Sequence, residues 1–159
     1  MAHYTVGISD LKVVAESEGS ITTHALGSCL GITIHDPVAQ VSGMVHVQLP
    51  IGSLDPEKAR LKPAMFVDTG VTRLFEEAFS LGANKDRLVL KVAGGANLLD
   101  DNNRFNIGQR NYQSLRKLLW KNGILITAEE VGGDLARTMM LNLGTGQVTL
   151  RSDNQTREL

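Results

Sequence analysis

The chain has 159 residues, of which 42% are hydrophobic and 21% are charged, values typical of a single globular domain. Its 16 basic and 17 acidic side chains nearly balance, which argues against a nucleic-acid partner because phosphate backbones attract strongly basic surfaces. The single cysteine excludes an internal disulfide and suits a reducing compartment. With no signal-peptide pattern and no apolar run near the ~18 residues of a membrane span, we expect a cytoplasmic protein without membrane insertion.

The first third of the chain predicts mainly strands. Residues 4–14 form a strand interrupted near Ser9, and a loop is expected at residues 22–28. Two runs that alternate apolar and polar residues follow, over residues 30–35 and 40–48. This alternation is typical of half-buried strands, so we predict a hairpin here.

Two helices are predicted in the rest of the chain. The first spans residues 63–81, with Pro63 in its first turn and Gly82 as its stop. Its apolar residues recur at helical spacing: Val67, Val71, Leu74, Phe75 and Ala78. The second begins after Asn106, which with Gln109 resembles a capping box, and ends near Asn122. Leu115, Leu118 and Leu119 form its inward face.

Strands are also expected at residues 87–93 and 124–131, and a hairpin turns around Gly144–Gly146. Two main helices and many strands joined by tight turns predict an α+β fold with a mixed or largely antiparallel sheet. We expect one domain over residues 3–151. The polar segment at residues 152–159 is predicted to be a C-terminal tail that frays.

The predicted hairpin brings the only cysteine next to a histidine. If residues 36–39 form the loop, which Asp-Pro favours, then His35 pairs with Gln40 and Cys29 lies opposite His46. This register sorts the apolar side chains onto one face. They are Leu30, Ile32, Ile34, Val41, Val45 and Val47.

Opposed residues on antiparallel strands have Cβ atoms roughly 4.5–5.5 Å apart, within reach of a thiol–imidazole hydrogen bond. A neighbouring imidazolium stabilises the thiolate, which is the reactive form of cysteine. We therefore interpret Cys29 as a nucleophile and His46 as its partner. The ordinary alternative, that Cys29 is a small buried hydrophobe, stays open on this argument.

Five segments resemble the CheD family of chemoreceptor glutamine deamidases. They are residues 23–29 (THALGSC), 43–50 (GMVHVQLP), 91–97 (KVAGGAN), 106–111 (NIGQRN) and 132–137 (GGDLAR). The resemblance implies a layered αββ domain in which Cys29 is the nucleophile, His46 its acid/base partner and Thr23 the residue that orients His46. It also implies a cysteine thioester intermediate, no metal or organic cofactor, and receptor glutamines as substrates in bacterial chemotaxis.

Further details follow from that chemistry. The oxyanion would be bound by the Cys29 N–H together with an amide of the turn at Gly27 and Ser28. Attack on a methyl ester is open to the same groups, so receptor methylesterase activity is a possible side reaction. The chain departs from the usual family pattern at residues 62–66 (KPAMF) and at His24. His35 is expected to be exposed.

The main rival interpretation is a regulatory module. Family members bind CheC-type phosphatases that act on CheY phosphate, so catalysis could be secondary or absent. A redox sensor is less favoured because the chain lacks a second cysteine. A metal site formed by Cys29, His46 and His24 has no short-spaced ligand pair. The glycine pairs at residues 94–95 and 132–133 lack the spacing of a phosphate-binding loop and are interpreted as sites of close backbone approach.

Overall fold

The computed structural model describes residues 1–97 and 106–159. Its strands, in chain order, are β1 (Ala2–Thr5), β2 (Asp10–Val14), β3 (Gly19–Leu26), β4 (Leu30–Asp36), β5 (Val41–Val47), β6 (Val89–Gly94), β7 (Ala128–Val131), β8 (Arg137–Asn142), β9 (Val148–Ser152) and β10 (Gln155–Glu158). Its helices are α1 (Pro56–Leu61), α2 (Val67–Ser80) and α3 (Ile107–Lys121). Short 3₁₀ turns lie at Gly52–Leu54, Pro63–Met65 and Lys85–Arg87.

The strands form two mixed sheets of five strands each within the described residues. The first sheet has the order β2-β5-β4-β6-β7 and the second has the order β1-β3-β8-β9-β10. The pairs β1–β3 and β6–β7 are parallel, whereas the remaining pairs are antiparallel. The predicted α+β class with mixed sheets is confirmed.

Two apolar clusters divide the molecule into three layers. The outer cluster joins one face of the first sheet to α2 and α3, and it contains Ile32, Val45, Leu74 and Leu115. The inner cluster lies between the two sheets and contains Ile21, Met44, Met139 and Leu150. The order is therefore helices, first sheet, second sheet, as the αββ expectation has it. Because β4 and β5 lie in the middle layer, every residue of both strands is buried.

The predicted register of the β4–β5 hairpin is wrong by two residues. Asp36 pairs with Val41 and Gly31 pairs with His46, so Cys29 precedes the ladder instead of facing His46. The reason lies in Asp36, whose carboxylate accepts hydrogen bonds from Val38 N–H (2.9 Å) and Ala39 N–H (3.0 Å) and keeps Asp36 inside the strand. A shift of two preserves the side-chain alternation, so the predicted apolar face is confirmed.

The expected loop at residues 22–28 is also wrong in its first part, because β3 continues to Leu26. Ile21 and Thr23 alternate into the interior and are fully buried. Ala25, with φ 59°, marks an irregularity in the pairing with β8 between Thr23 and Leu26. Because Thr23 is a polar residue at an inward-facing position, the apolar alternation of a strand is not visible in this segment.

Both predicted helices exist, with differences at their first turns. Phe66 is extended (φ −114°, ψ 146°), and Val67 N–H donates to Leu49 O, so α2 begins at Val67 and not at Pro63. Asn106 does precede α3, but its backbone is left-handed (φ 45°) and its side chain makes no capping bond. The short helix α1, capped by Asp55 through Lys58 N–H, was not predicted.

The expectation that residues 152–159 fray is wrong. This segment contains β10, which pairs with β9 at the edge of the second sheet. Arg157 on β10 binds Glu130, which also pairs with Arg137, and Lys91 Nζ donates to Leu159 O (2.9 Å). Arg157 thus pairs with a partly buried carboxylate on β7, a contact that a polar composition does not reveal. Among the described helices, none is long and apolar enough to cross a bilayer.

Candidate active site

A buried threonine–histidine pair joins the two sheets. Thr23 lies on β3 of the second sheet and His46 on β5 of the first, and both are fully buried. Thr23 Oγ1 is 2.7 Å from His46 Nδ1. The same oxygen is 2.7 Å from Val6 O. The structure thus brings together two of the three residues that the family resemblance singled out.

The surroundings of Thr23 determine the tautomer of His46. Val6 O can only accept, so the Thr23 hydroxyl must donate its one hydrogen there. Thr23 Oγ1 is then left to accept from His46, and we assign the imidazole hydrogen to Nδ1. His46 Nε2 therefore carries a lone pair. This nitrogen is buried and has no hydrogen-bond partner among residues 1–97 and 106–159.

Burial lowers the pKa of His46 to about 4. The interior disfavours the charged imidazolium, so the ring is neutral at pH 7. This corrects the expectation of a resting imidazolium that stabilises a thiolate. A neutral ring with its lone pair on Nε2 is instead ready to accept a proton.

Cys29 lies immediately before β4, on the same side of the first sheet as His46. Gly31, two residues after Cys29, pairs with His46 across the hairpin. Cys29 is half-buried and packs against the cluster between the sheets, the layer into which His46 also projects to reach Thr23. The more accessible member of the group is therefore the thiol, and the histidine lies deeper.

The backbone that carries Cys29 is held by three successive hydrogen bonds. They join Ala96 N–H to Gly27 O (2.8 Å), Asn111 Nδ2 to Ser28 O (3.0 Å) and Gly95 N–H to Cys29 O (2.8 Å). A Cβ on Gly94, whose φ is 110°, would lie 2.2 Å from Cys29 O. Glycine at this position therefore permits the close backbone approach that holds the cysteine segment.

One of the predicted oxyanion donors is already engaged. Gly27 N–H donates to Ala25 O (3.0 Å), so it does not offer a hydrogen to a substrate oxygen. The amides of Ser28 and Cys29 stay a prediction that rests on their position beside the thiol. The turn was chosen by its position beside Cys29, and sequence alone does not show which of its N–H groups a local turn uses.

Asn111 is the residue of this region that sequence reasoning missed. It is fully buried, and its Nδ2 donates both to Ser28 O (3.0 Å) and to Gln48 O (3.1 Å). A signal existed, because Asn111 stands one helical turn before Leu115, on the inward stripe of α3. A polar residue at such a position requires buried partners.

The other histidines lie apart from this group. His24 is exposed and points toward Thr138 (Nδ1 to Oγ1, 3.5 Å), on the face of β3 opposite Thr23. His35 is only 3% exposed and contacts Ser42 through Nδ1 (2.8 Å), so the expectation that it is exposed is wrong. In the described part of the chain, no three histidine, cysteine or carboxylate side chains come close enough to bind a metal ion.

A family model described as CheD chemotactic sensory transduction matches residues 48–152. The chain belongs to the CheD family. A relative from Solibacter usitatus, "Probable chemoreceptor glutamine deamidase CheD", is 44% identical over 159 residues, which is 100% of this chain and 94% of the relative. A relative from Syntrophus aciditrophicus with the same description, CheD 1, is 45% identical over 96% of this chain and 95% of its own length. One from Pyrococcus abyssi is 42% identical over 92% and 89%.

The similarity to CheD proteins thus includes the segments that carry Thr23, Cys29 and His46. The full-length match to the Solibacter relative includes residues 23–29 and 43–50, and the CheD model itself begins at residue 48. Residues 62–66, which we expected to depart from the family pattern, form the 3₁₀ turn before α2 and end at the fully buried Phe66. Met65 O accepts hydrogen bonds from Gln48 N–H (2.8 Å) and Leu49 N–H (3.0 Å), so this segment is bonded to the chain just after β5.

Proposed function

We propose that this CheD-family chain is a protein-glutamine deamidase that converts glutamines of chemoreceptors to glutamates in bacterial chemotaxis. The observation that carries the proposal is the Thr23–His46 hydrogen bond of 2.7 Å, because it leaves the lone pair on Nε2 of a histidine that projects into the layer where Cys29 packs. The names of relatives that match almost the whole chain agree with this chemistry. Cysteine and histidine together perform acyl transfer without a cofactor.

In the first half of the reaction, His46 Nε2 takes the proton of the Cys29 thiol. The sulfur then attacks the side-chain amide carbon of the substrate glutamine. As the tetrahedral intermediate collapses, the carbon–nitrogen bond breaks and His46 returns the proton to the departing nitrogen, which leaves as ammonia. The product on the enzyme is a thioester of Cys29.

In the second half, His46 acts as a base toward water. The hydroxide attacks the thioester carbon, the carbon–sulfur bond breaks, and the proton on His46 returns to the sulfur. Glutamate is released and the neutral imidazole is restored. The low pKa of His46 suits the donor steps, because an imidazolium in this buried place gives up its proton readily.

Thr23 keeps the ring productive in both halves. By accepting a hydrogen bond from Nδ1–H, Thr23 retains the tautomer in which Nε2 can receive a proton, the third-residue role of a triad. The Ser28 and Cys29 amides would stabilise the negative oxygen of the tetrahedral intermediate. A methyl ester presents the same carbonyl geometry with a better leaving group, so receptor methylesterase activity is a side reaction of this proposal.

The test is mass spectrometry of a chemoreceptor cytoplasmic fragment after incubation with the protein. Each deamidation raises the mass by about one unit, because an amide is exchanged for a carboxyl group. We expect the shift with the unaltered protein and its loss with Cys29→Ala and with His46→Ala. His3→Ala serves as the control, since it removes an exposed histidine on β1 whose side chain contacts Ser20. A shift that persists in Cys29→Ala would sink the proposal.

Binding of a CheC-type phosphatase is a separate function that the family resemblance implies, and it can be tested apart from catalysis. Cys29→Ala removes the sulfur of the residue just before β4 and keeps the carbonyl that accepts from Gly95 N–H, so we expect both sheets to stay intact. If the chain also acts as a regulatory partner, Cys29→Ala will still bind and stimulate a CheC-type phosphatase. Absence of binding by the unaltered protein would rule out this second role.

A further inference from the structure

We propose that Asn111 is a positioning residue that sets the separation between Cys29 and His46. This inference rests on the deamidase proposal for its functional meaning, but its geometry is independent of the substrate. Asn111 lies on α3, whereas Cys29 and His46 lie at the end of the β4–β5 hairpin. One side chain from the helical layer therefore reaches the segment of each.

The carboxamide nitrogen of Asn111 uses both of its hydrogens on these two segments. One goes to Ser28 O, the carbonyl directly before Cys29, at 3.0 Å. The other goes to Gln48 O, two residues after His46, at 3.1 Å. Two oxygens that share one donor nitrogen at these distances lie within about 6 Å of each other. The nucleophile segment and the histidine segment are thus tied to a single atom.

The start of α3 gives that atom a fixed place. A Cβ on Gly108 would lie 2.5 Å from Gly95 O and 2.8 Å from Ala96 O, so the first turn of the helix contacts the backbone of residues 95–96 directly. Those two residues donate to Cys29 O and Gly27 O. Helix α3 consequently approaches the cysteine segment by two routes, through backbone contact and through Asn111.

The acceptor half of Asn111 distinguishes it from an ordinary structural asparagine. Its Oδ1 is buried and has no hydrogen-bond partner within residues 1–97 and 106–159. A buried unpaired acceptor lowers stability. The two donor hydrogens, in contrast, are both used on the segments of Cys29 and His46.

Two substitutions separate positioning from stability. Asn111→Leu keeps the approximate shape and removes both donors without adding charge. Ser114→Ala is the matched control: Ser114 Oγ, on the next turn of α3, donates to Pro50 O at 2.7 Å, so it also ties the helix to the chain after β5 but leaves the cysteine segment untouched. Asn111→Ser, which keeps one donor, serves if the leucine variant fails to fold.

The first readout is deamidation of the receptor fragment. For Asn111→Leu we expect kcat to fall by about tenfold or more while KM stays within about threefold, because the buried side chain does not reach the substrate. Ser114→Ala should keep kcat within about threefold of the unaltered protein. Equal losses of kcat in the two variants, at similar melting temperatures, would assign Asn111 a structural role only.

The second readout needs no substrate: the rate at which iodoacetamide alkylates Cys29 at pH 7. Asn111→Leu should slow alkylation toward the rate of His46→Ala, and the double variant should be no slower than His46→Ala. Both changes remove one effect, the transfer of the thiol proton to the neutral His46 ring as the sulfur reacts. An equal further fall in the His46→Ala background would overturn the inference. If neither the unaltered protein nor any variant deamidates the receptor, but the alkylation rates follow the expected pattern, the proposed function fails and the positioning role stands.

Discussion

Replacing Thr23 with valine removes one oxygen from the centre of the site and keeps the side-chain shape. Two hydrogen bonds of 2.7 Å disappear: the one that His46 Nδ1–H donates and the one that Val6 O accepts. Thr23 and His46 are both fully buried, so water does not replace them. A buried polar group without a partner costs about 1–3 kcal/mol, and we expect the free energy of unfolding to fall by at least this amount.

The effect on catalysis follows from the same energy. Without an acceptor at Nδ1, the preferred tautomer loses about 1–3 kcal/mol, which corresponds to roughly a 5- to 150-fold shift toward the ring with its hydrogen on Nε2. That tautomer cannot accept the thiol proton. The population of the productive tautomer falls by at most this factor, so we expect kcat for receptor deamidation to fall by up to this factor and by less than in His46→Ala.

The assay combines steady-state deamidation with ¹⁵N NMR of the histidine ring, which distinguishes a protonated from an unprotonated Nδ1. Thr23→Ser restores the hydroxyl and should recover most of kcat and the original tautomer. The reasoning is refuted if Thr23→Val keeps the kcat of the unaltered protein. It is also refuted if Thr23→Ser, while folded, is as impaired as the valine variant.

Two further predictions concern charge. Burial lowers the pKa of His46 to about 4, and the imidazolium form cannot take the thiol proton. As the pH is lowered, kcat/KM should therefore fall only when the pH approaches that value. A loss of half of kcat/KM at pH 6 or above, in folded protein, would contradict this. Arg87→Met should destabilise the protein by about 1–3 kcal/mol in urea unfolding, because the fully buried Asp36 carboxylate loses its half-exposed cationic partner but keeps its backbone donors. Arg73→Met, from an exposed pair, is the control and should cost at most about 1 kcal/mol.

The Asp36 prediction has a clear electrostatic basis. Burial by itself raises the pKa of Asp36, but hydrogen bonds from Arg87 and from the N–H groups of Ala39, Asn84 and Val38 outweigh it and hold the pKa well below the ordinary range. The carboxylate is therefore charged in the folded protein at neutral pH. Loss of less than about 1 kcal/mol in Arg87→Met would mean that the backbone donors alone suffice.

The hairpin shows how far side-chain patterns reach. Alternation predicted which side chains of β4 and β5 share the face that packs against the helices, because the period of a strand is two residues and every even shift preserves it. The opposite face is buried as well, so the expectation of half-buried strands is wrong. The two-residue period also made the register ambiguous, and Cys29 was placed opposite His46 where the structure has Gly31. Asp36 is kept inside the strand by hydrogen bonds from Val38 N–H and Ala39 N–H, and Arg87, 51 positions along the chain, also donates to its carboxylate.

The site divides in the same way. Family motifs pointed to Thr23, Cys29 and His46, and the structure brings Thr23 into contact with His46 although the segment of Thr23 was expected to be a loop. Asn111 was missed because its partners are backbone carbonyls, which every residue has and no sequence pattern marks. Gly27 was misjudged for a related reason, since its N–H is used by the adjacent turn.

By itself, the amino-acid sequence determined the α+β class, the inward faces of the two main helices and of the hairpin, and the residue types able to perform acyl transfer around Cys29. These depend on local periodicity and on chemistry that each side chain carries alone. Only the tertiary structure decided the register beside Cys29, the neutral state of His46 and the two hydrogen bonds from Asn111. Each of these depends on burial and on partners far apart in the chain, because desolvation and hydrogen-bond pairing are properties of the folded interior.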